Sequence, residues 1–131
     1  MNPATTLAAR AASALSLCLA VAAASAATPP ACGSLPPDIR DAKRDMSVCI
    51  TMANPLADCG RYGLDVQIFA NNEGKLPAAG RGQLYWEGKI RAATGAAGQR
   101  RLVYLVTDGQ KKVINARYYS PDHYVTFCST N

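Results

Sequence analysis

The chain has 131 residues, 49% of them hydrophobic, and a formal net charge of +5. That length allows one compact domain with one core but not two. The positive balance suits a polyanionic partner, because it raises both encounter rate and phosphate affinity, but it equally serves solubility and by itself does not decide between them.

The first 26 residues read as a secretory leader rather than as part of a fold. Arg10 is their only charged residue, an apolar run follows from Ala11 to Ala23, and Ala24-Ser25-Ala26 supplies a small-x-small cleavage site. The run is too short and alanine-rich for a membrane span. A lipoprotein use of Cys18 is opposed by bulky Leu17 before it. Export with cleavage is therefore expected, leaving a domain over residues 27–131 that carries +4 once Arg10 is gone, with no membrane association.

Four cysteines remain beyond the leader: Cys32, Cys49, Cys59 and Cys128. An even number in a short exported chain reads as two disulfides, with three pairings open. Cys49 and Cys59 are close enough in sequence to clip a helix end to the following loop. Cys32 and Cys128 would then tie the two chain ends together. Zinc is the competing use, but no C-x-x-C pair occurs and the sole histidine is next to no cysteine. No metal and no cofactor are expected.

Leu35-Pro36-Pro37-Asp38 opens the first clear element, since proline and aspartate suit a first helical turn. Ile39, Ala42, Met46, Cys49 and Ile50 recur at helical spacing through about residue 51. Asn54-Pro55 and Cys59-Gly60 mark a loop. Strands are predicted over Leu64 to Ala70, Gln83 to Arg91, Leu102 to Thr107, Lys111 to Tyr118 and Tyr124 to Cys128. Asp108-Gly109 signals a hairpin between the third and fourth. In the second strand Leu84, Trp86, Gly88 and Ile90 share one face, while Tyr85, Glu87, Lys89 and Arg91 share the other. The apolar face should meet the helix and leave Glu87 on the open face with cationic neighbours. The fold class is α+β: one main helix against an antiparallel sheet of about five strands.

Glu87, Arg101 and His123 fall on or beside successive predicted strands, and His123 is the only histidine. A carboxylate, a guanidinium and an imidazole can cleave RNA without a metal. The carboxylate takes the ribose 2′-hydroxyl proton, the guanidinium holds the phosphate, and the imidazole protonates the leaving 5′-oxygen. Taken singly, each reads more plainly as a solvated strand residue, a surface cation and a turn residue.

Ile68-Phe69-x-Asn71-x-Glu73-Gly74-Lys75-Leu76-Pro77 and Asp122-His123-Tyr124-x-Thr126-Phe127 add to this pattern. The first resembles the guanine-recognition loop, and the second the closing motif, of the bacterial guanyl-specific ribonucleases, the group of barnase and the streptomycete enzymes. Gly98-Gln99-Arg100-Arg101 and Cys32-Gly33-Ser34-Leu35-Pro36-Pro37 are similar to stretches of the streptomycete branch. The likeness runs in order over nearly the whole chain beyond the leader. It implies Glu87 as general base, His123 as general acid and Arg101 as phosphate ligand. It also implies Glu73 as the carboxylate that accepts from guanine N1–H and the exocyclic amine, and backbone amides around Asn71 and Asn72 as donors to O6. Phe69 and Tyr124 would line or stack on the base. A carboxylate beside backbone N–H groups suits guanine, which offers two adjacent donors and an acceptor.

Two departures stand out. Ala97 occupies the place of a second phosphate arginine, and Arg91, Arg117, Lys43 and Arg44 are the candidate substitutes. Asn72 stands where the family typically has arginine, which should lower affinity for polyanions while leaving the backbone donors intact. The reading is a secreted, monomeric, metal-independent endoribonuclease that cuts single-stranded RNA 3′ of guanosine through a 2′,3′-cyclic phosphate. By family analogy its partners include a barstar-like acidic inhibitor. The rival readings are a catalytically weakened guanine-nucleotide- or RNA-binding module on the same fold, and a basic disulfide-tied secreted inhibitor or interaction domain.

Overall fold

A computed structural model of the chain describes residues 26–91 and 98–131. The leader up to residue 25 and the predicted phosphate position at Ala97 lie outside the described residues. Helix α1 spans Pro37–Cys49, with Pro37 at its first position and Asp38 in its first turn. Its buried stripe is Ile39, Met46 and Cys49, the same residues that carry the helical period. A second helix, α2, spans Pro55–Arg61 where a loop was expected. Asn54 caps it, its side chain accepting from the Ala57 amide, while the Asn54 amide donates to Asp58 Oδ2 at 2.9 Å. The asparagine cap and the first-position proline are helix-start signals that also serve as loop signals, and seven residues are too few for periodicity to decide.

Five antiparallel strands follow as a meander: β1 Asp65–Phe69, β2 Gln83–Lys89, β3 Arg101–Thr107, β4 Val113–Ser120 and β5 Cys128–Ser129, ordered β1-β2-β3-β4-β5. The register shifts between Leu105 and Val106, so that Asn115 is the extra residue of a bulge in β4. The α+β architecture is as expected, with two helices instead of one.

β3 is buried along nearly its whole length because both faces of the sheet are covered. Leu102, Tyr104 and Val106 point toward Ile39, Met46 and Ile50 of the helical side. Gly88 lets the helix come close there: a Cβ on it would lie 2.8 Å from the Met46 sulfur, and the methionine would have to move. Val103 and Leu105 pack on the other side with Leu76, Tyr85 and Tyr118, flanked by Phe69, Ala116 and Phe127. That second face is not open. The segment through Leu76 folds over it, and the Tyr85 hydroxyl donates to the Pro77 carbonyl at 2.7 Å. Glu87 is consequently 2% exposed, which corrects the expectation of a solvated face.

Cys49–Cys59 joins α1 to α2, and Cys32–Cys128 fastens the N-terminal segment to β5. Around the second bridge Cys32 N–H donates to Ser129 O at 2.8 Å and Ser129 N–H to Pro30 O at 2.7 Å. Cross-links of this kind typically contribute about 2–4 kcal/mol to a small domain.

Candidate active site

The predicted strand from Tyr124 to Cys128 is a turn over most of its length. Asp122 causes it. Its Oδ1 accepts from the Ser120 hydroxyl at 3.0 Å and the Thr126 amide at 2.9 Å, and its Oδ2 accepts from the Thr126 hydroxyl at 2.6 Å. Ser120 Oγ in turn accepts from the Tyr124 amide at 2.9 Å. These local bonds outcompete a ladder with β4, so only Cys128 and Ser129 pair. His123 and Tyr124 are held at φ 53° and 69°, in the left-handed region that side chains rarely adopt. The His123 amide donates to Gln99 O at 2.8 Å, which anchors the turn beside the start of β3. The turn leaves the His123 ring exposed, its centroid 4.7 Å from that of Tyr124.

Tyr124 is the centre of the arrangement. Its hydroxyl donates to Glu87 Oε2 and accepts from Arg101 Nε at 3.1 Å. Burial, and next the bond to Glu87, push its pKa up to about 12, so the hydroxyl keeps its proton. The ring stacks on Phe69 with centroids 5.2 Å apart. Glu87 Oε1 accepts from Gln67 Nε2, a partner set by the β1–β2 register, in which Gln67 faces Glu87. Arg101 is 6% exposed and fixed by Nη1 bonds to the carbonyls of Gly98 at 2.7 Å and Arg100 at 2.9 Å.

The segment after β1 forms the opposite wall. Asn71, at φ 53°, closes it on itself: its Nδ2 donates to Leu76 O at 2.8 Å and its Oδ1 accepts from the Leu76 amide at 3.1 Å. Gly74, at φ 63°, donates its amide to Asn71 O at 2.9 Å. The Glu73 side chain is 73% exposed and pairs with Lys75 Nζ at 2.9 Å. Lys75 also donates to the carbonyls of Tyr124 at 2.9 Å and Val125 at 3.4 Å, tying this loop to the His123 turn. A cavity of about 310 Å³ lies between, lined by Phe69, Asn71, Asn72, Glu73, Glu87 and Tyr124 among others. That is the lower end of the size range of small-molecule pockets.

Six of the eight residues expected to act on substrate thus line one cavity. Arg101 and His123 adjoin it through Tyr124 rather than lining it. Sequence reasoning gave no role to Gln67, Lys75 and Phe127, whose places depend on register and loop closure. Of the candidate substitutes for a second phosphate cation, Arg117, Lys43 and Arg44 are on the wrong side. Arg117 faces Tyr104 in the β3–β4 register and packs against α1, across the sheet from Glu87. Arg91 instead lines a small hollow of about 100 Å³ together with Lys89 and Arg101.

A search of curated proteins found no match. A family model described as ribonuclease matches residues 18–131, and the chain belongs to that family.

Proposed function

We propose that this ribonuclease-family member is a secreted, metal-independent endonuclease that cleaves single-stranded RNA 3′ of guanosine. Family membership makes RNA the substrate; the catalytic assignment is carried by one observation. The Tyr124 hydroxyl donates to Glu87 and accepts from Arg101, the two hydrogen bonds that a ribose 2′-hydroxyl and a phosphate oxygen would make there. Glu87 is assigned to take the 2′-hydroxyl proton while the 2′-oxygen forms its bond to phosphorus. The P–O5′ bond breaks, and His123 gives its proton to the departing 5′-oxygen. Arg101 neutralises charge on the non-bridging oxygens as the phosphorus becomes five-coordinate. Water then opens the 2′,3′-cyclic phosphate with the proton roles reversed, leaving a 3′-phosphate.

Guanine is assigned to the cavity beside Phe69, with Glu73 accepting from its N1–H and amine and the amides near Asn71 and Asn72 donating to O6. The polar loop with an exposed carboxylate on its rim supports this, as does the aromatic surface of Phe69 and Tyr124. The leader-like start and two disulfides support export. Digestion of a defined RNA in the presence of a chelator tests the whole reading. Cuts after guanosine ending in cyclic and then 3′-phosphate are expected. Cutting without base preference, or only with added divalent metal, overturns it.

A further inference from the structure

A groove larger than the cavity that contains Glu87 lies between α1 and the C-terminal residues. It encloses about 740 Å³ and is lined by Ser34, Arg40, Lys43, Ser47, Arg117 and Thr130 among others. Register puts it on the far side of the sheet from the candidate active site. Tyr118 packs with Val103 on the Glu87 face, so its neighbour Arg117 projects from the helical face.

Arg40, Lys43, Arg44 and Ser47 recur at helical spacing and form one stripe of α1 along about 10 Å of its axis. Arg44 is already matched by Asp41 at 3.2 Å and Asp45 at 3.4 Å. Arg40, Lys43 and Arg117 make no ion pair among the described residues, and no aspartate or glutamate lines the groove. Arg117 is preorganised. Its Nε donates to Ser47 Oγ at 3.2 Å, and its guanidinium carbon sits 5.6 Å from the centroid of buried Tyr104. Ser47 Oγ is itself fixed by donation to Lys43 O at 2.7 Å, and the Tyr104 hydroxyl donates to the same carbonyl at 2.9 Å. Thr130 lines the same groove with a buried Oγ1 that has no hydrogen-bond partner among the described residues. Burial, and next the charge of Arg117, lower the pKa of Lys43, a strain that an anion between them would relieve.

We propose that this groove is a second phosphate-binding site that takes the backbone of the RNA being cleaved, away from the scissile bond. Cations from one turn of α1, extended by Arg117 of β4 beside Ser47, suit a polyanion better than one small anion. No aromatic side chain lines the groove among the described residues, so bases have nothing to stack on and binding is indifferent to sequence. The inference rests on RNA being the substrate.

The test compares the full-length protein with R40Q/K43Q and with the charge-preserving R40K/K43R. Binding of a non-cleavable 2′-O-methyl oligomer of roughly 20 nucleotides, longer than the usual single-strand sites, is measured against salt. Cleavage of a guanosine dinucleotide is measured in parallel, since a dinucleotide is too short to reach both faces. R40Q/K43Q should weaken oligomer binding roughly tenfold and lower the salt slope by about 1.4, because two phosphates are no longer neutralised. Dinucleotide kcat/KM should stay within about twofold, and R40K/K43R should restore binding. Unchanged oligomer affinity and slope in R40Q/K43Q overturn the proposal, as does an equal loss on the dinucleotide. Loss of binding to anionic phosphatidylglycerol vesicles with oligomer binding intact also overturns it, by assigning the groove to a lipid surface. If the natural protein cleaves no RNA, the catalytic reading fails while the oligomer arm still judges the groove.

Discussion

Replacing Glu87 with glutamine should make the protein more stable and nearly inactive. Glu87 is 2% exposed, and its oxygens accept from Gln67 and Tyr124, both neutral donors, with no ion pair among the described residues. Burying a carboxylate costs several kcal/mol even after relaxation, and Arg101, held one hydroxyl away on Tyr124, offsets only part of that. Glutamine keeps the shape and removes that cost, but turns an NH₂ toward one of two donors and loses one hydrogen bond, worth about 1–2 kcal/mol. The net gain is about 1–2 kcal/mol, which for a domain of this size raises Tm by about 5–10 °C. Loss of the proton acceptor should lower kcat/KM by about 10²–10⁴. Calorimetry and steady-state cleavage of a guanosine dinucleotide give the two numbers. A fall in kcat/KM of less than about tenfold removes Glu87 from proton transfer. A Tm lowered by more than about 5 °C refutes the electrostatic argument, because the carboxylate would then hold its surroundings together.

His123→Ala should reduce cleavage by about 10²–10⁴ while guanosine 3′-phosphate still binds, measurable by titration calorimetry. Glu73→Gln should lower the preference for guanosine over adenosine dinucleotides about tenfold or more, since an amide presents one acceptor to two donors; an unchanged ratio places recognition elsewhere. Lys75→Met cuts the bonds that join the Glu73 loop to the Tyr124 and Val125 carbonyls. It should raise KM several-fold with kcat within about twofold, and cost less than about 1 kcal/mol because the lysine is exposed. The pKa of Asp122 is lowered chiefly by the Thr126 hydroxyl, and that of Asp38 chiefly by the Arg100 guanidinium. Both folded values lie below the ordinary 3.8, so their stabilisation is complete above that pH and disappears as pH falls through the folded values. Tm should fall with acidification below about pH 4, and Asp122→Asn should flatten that fall in a thermal-melt series.

Local sequence determined what depends on neighbours along the chain. The period of Ile39, Met46 and Cys49 is a property of the helix alone, and it predicts the buried stripe of α1. Alternation in Gln83–Lys89 likewise separates Gly88 from Glu87, since successive strand residues face opposite ways. The segments around Asn71 and His123 stood out in the sequence by family resemblance alone, and the side-chain bonds of Asn71 and Asp122 that fold them as turns became visible only in the structure. Seven-residue α2 was not legible, because so short a segment carries no period and its stability comes from Cys59 and Pro55 packing below it. The strand predicted at Tyr124 failed for the opposite reason: Asp122 satisfies the backbone locally in place of a ladder. Only the tertiary structure decided that Glu87 is buried, since the covering Leu76 comes from a loop and the Gln67 partner from strand register. The same holds for Arg117. Its charge was visible in sequence, but which face of the sheet it serves was fixed by its place opposite Tyr104.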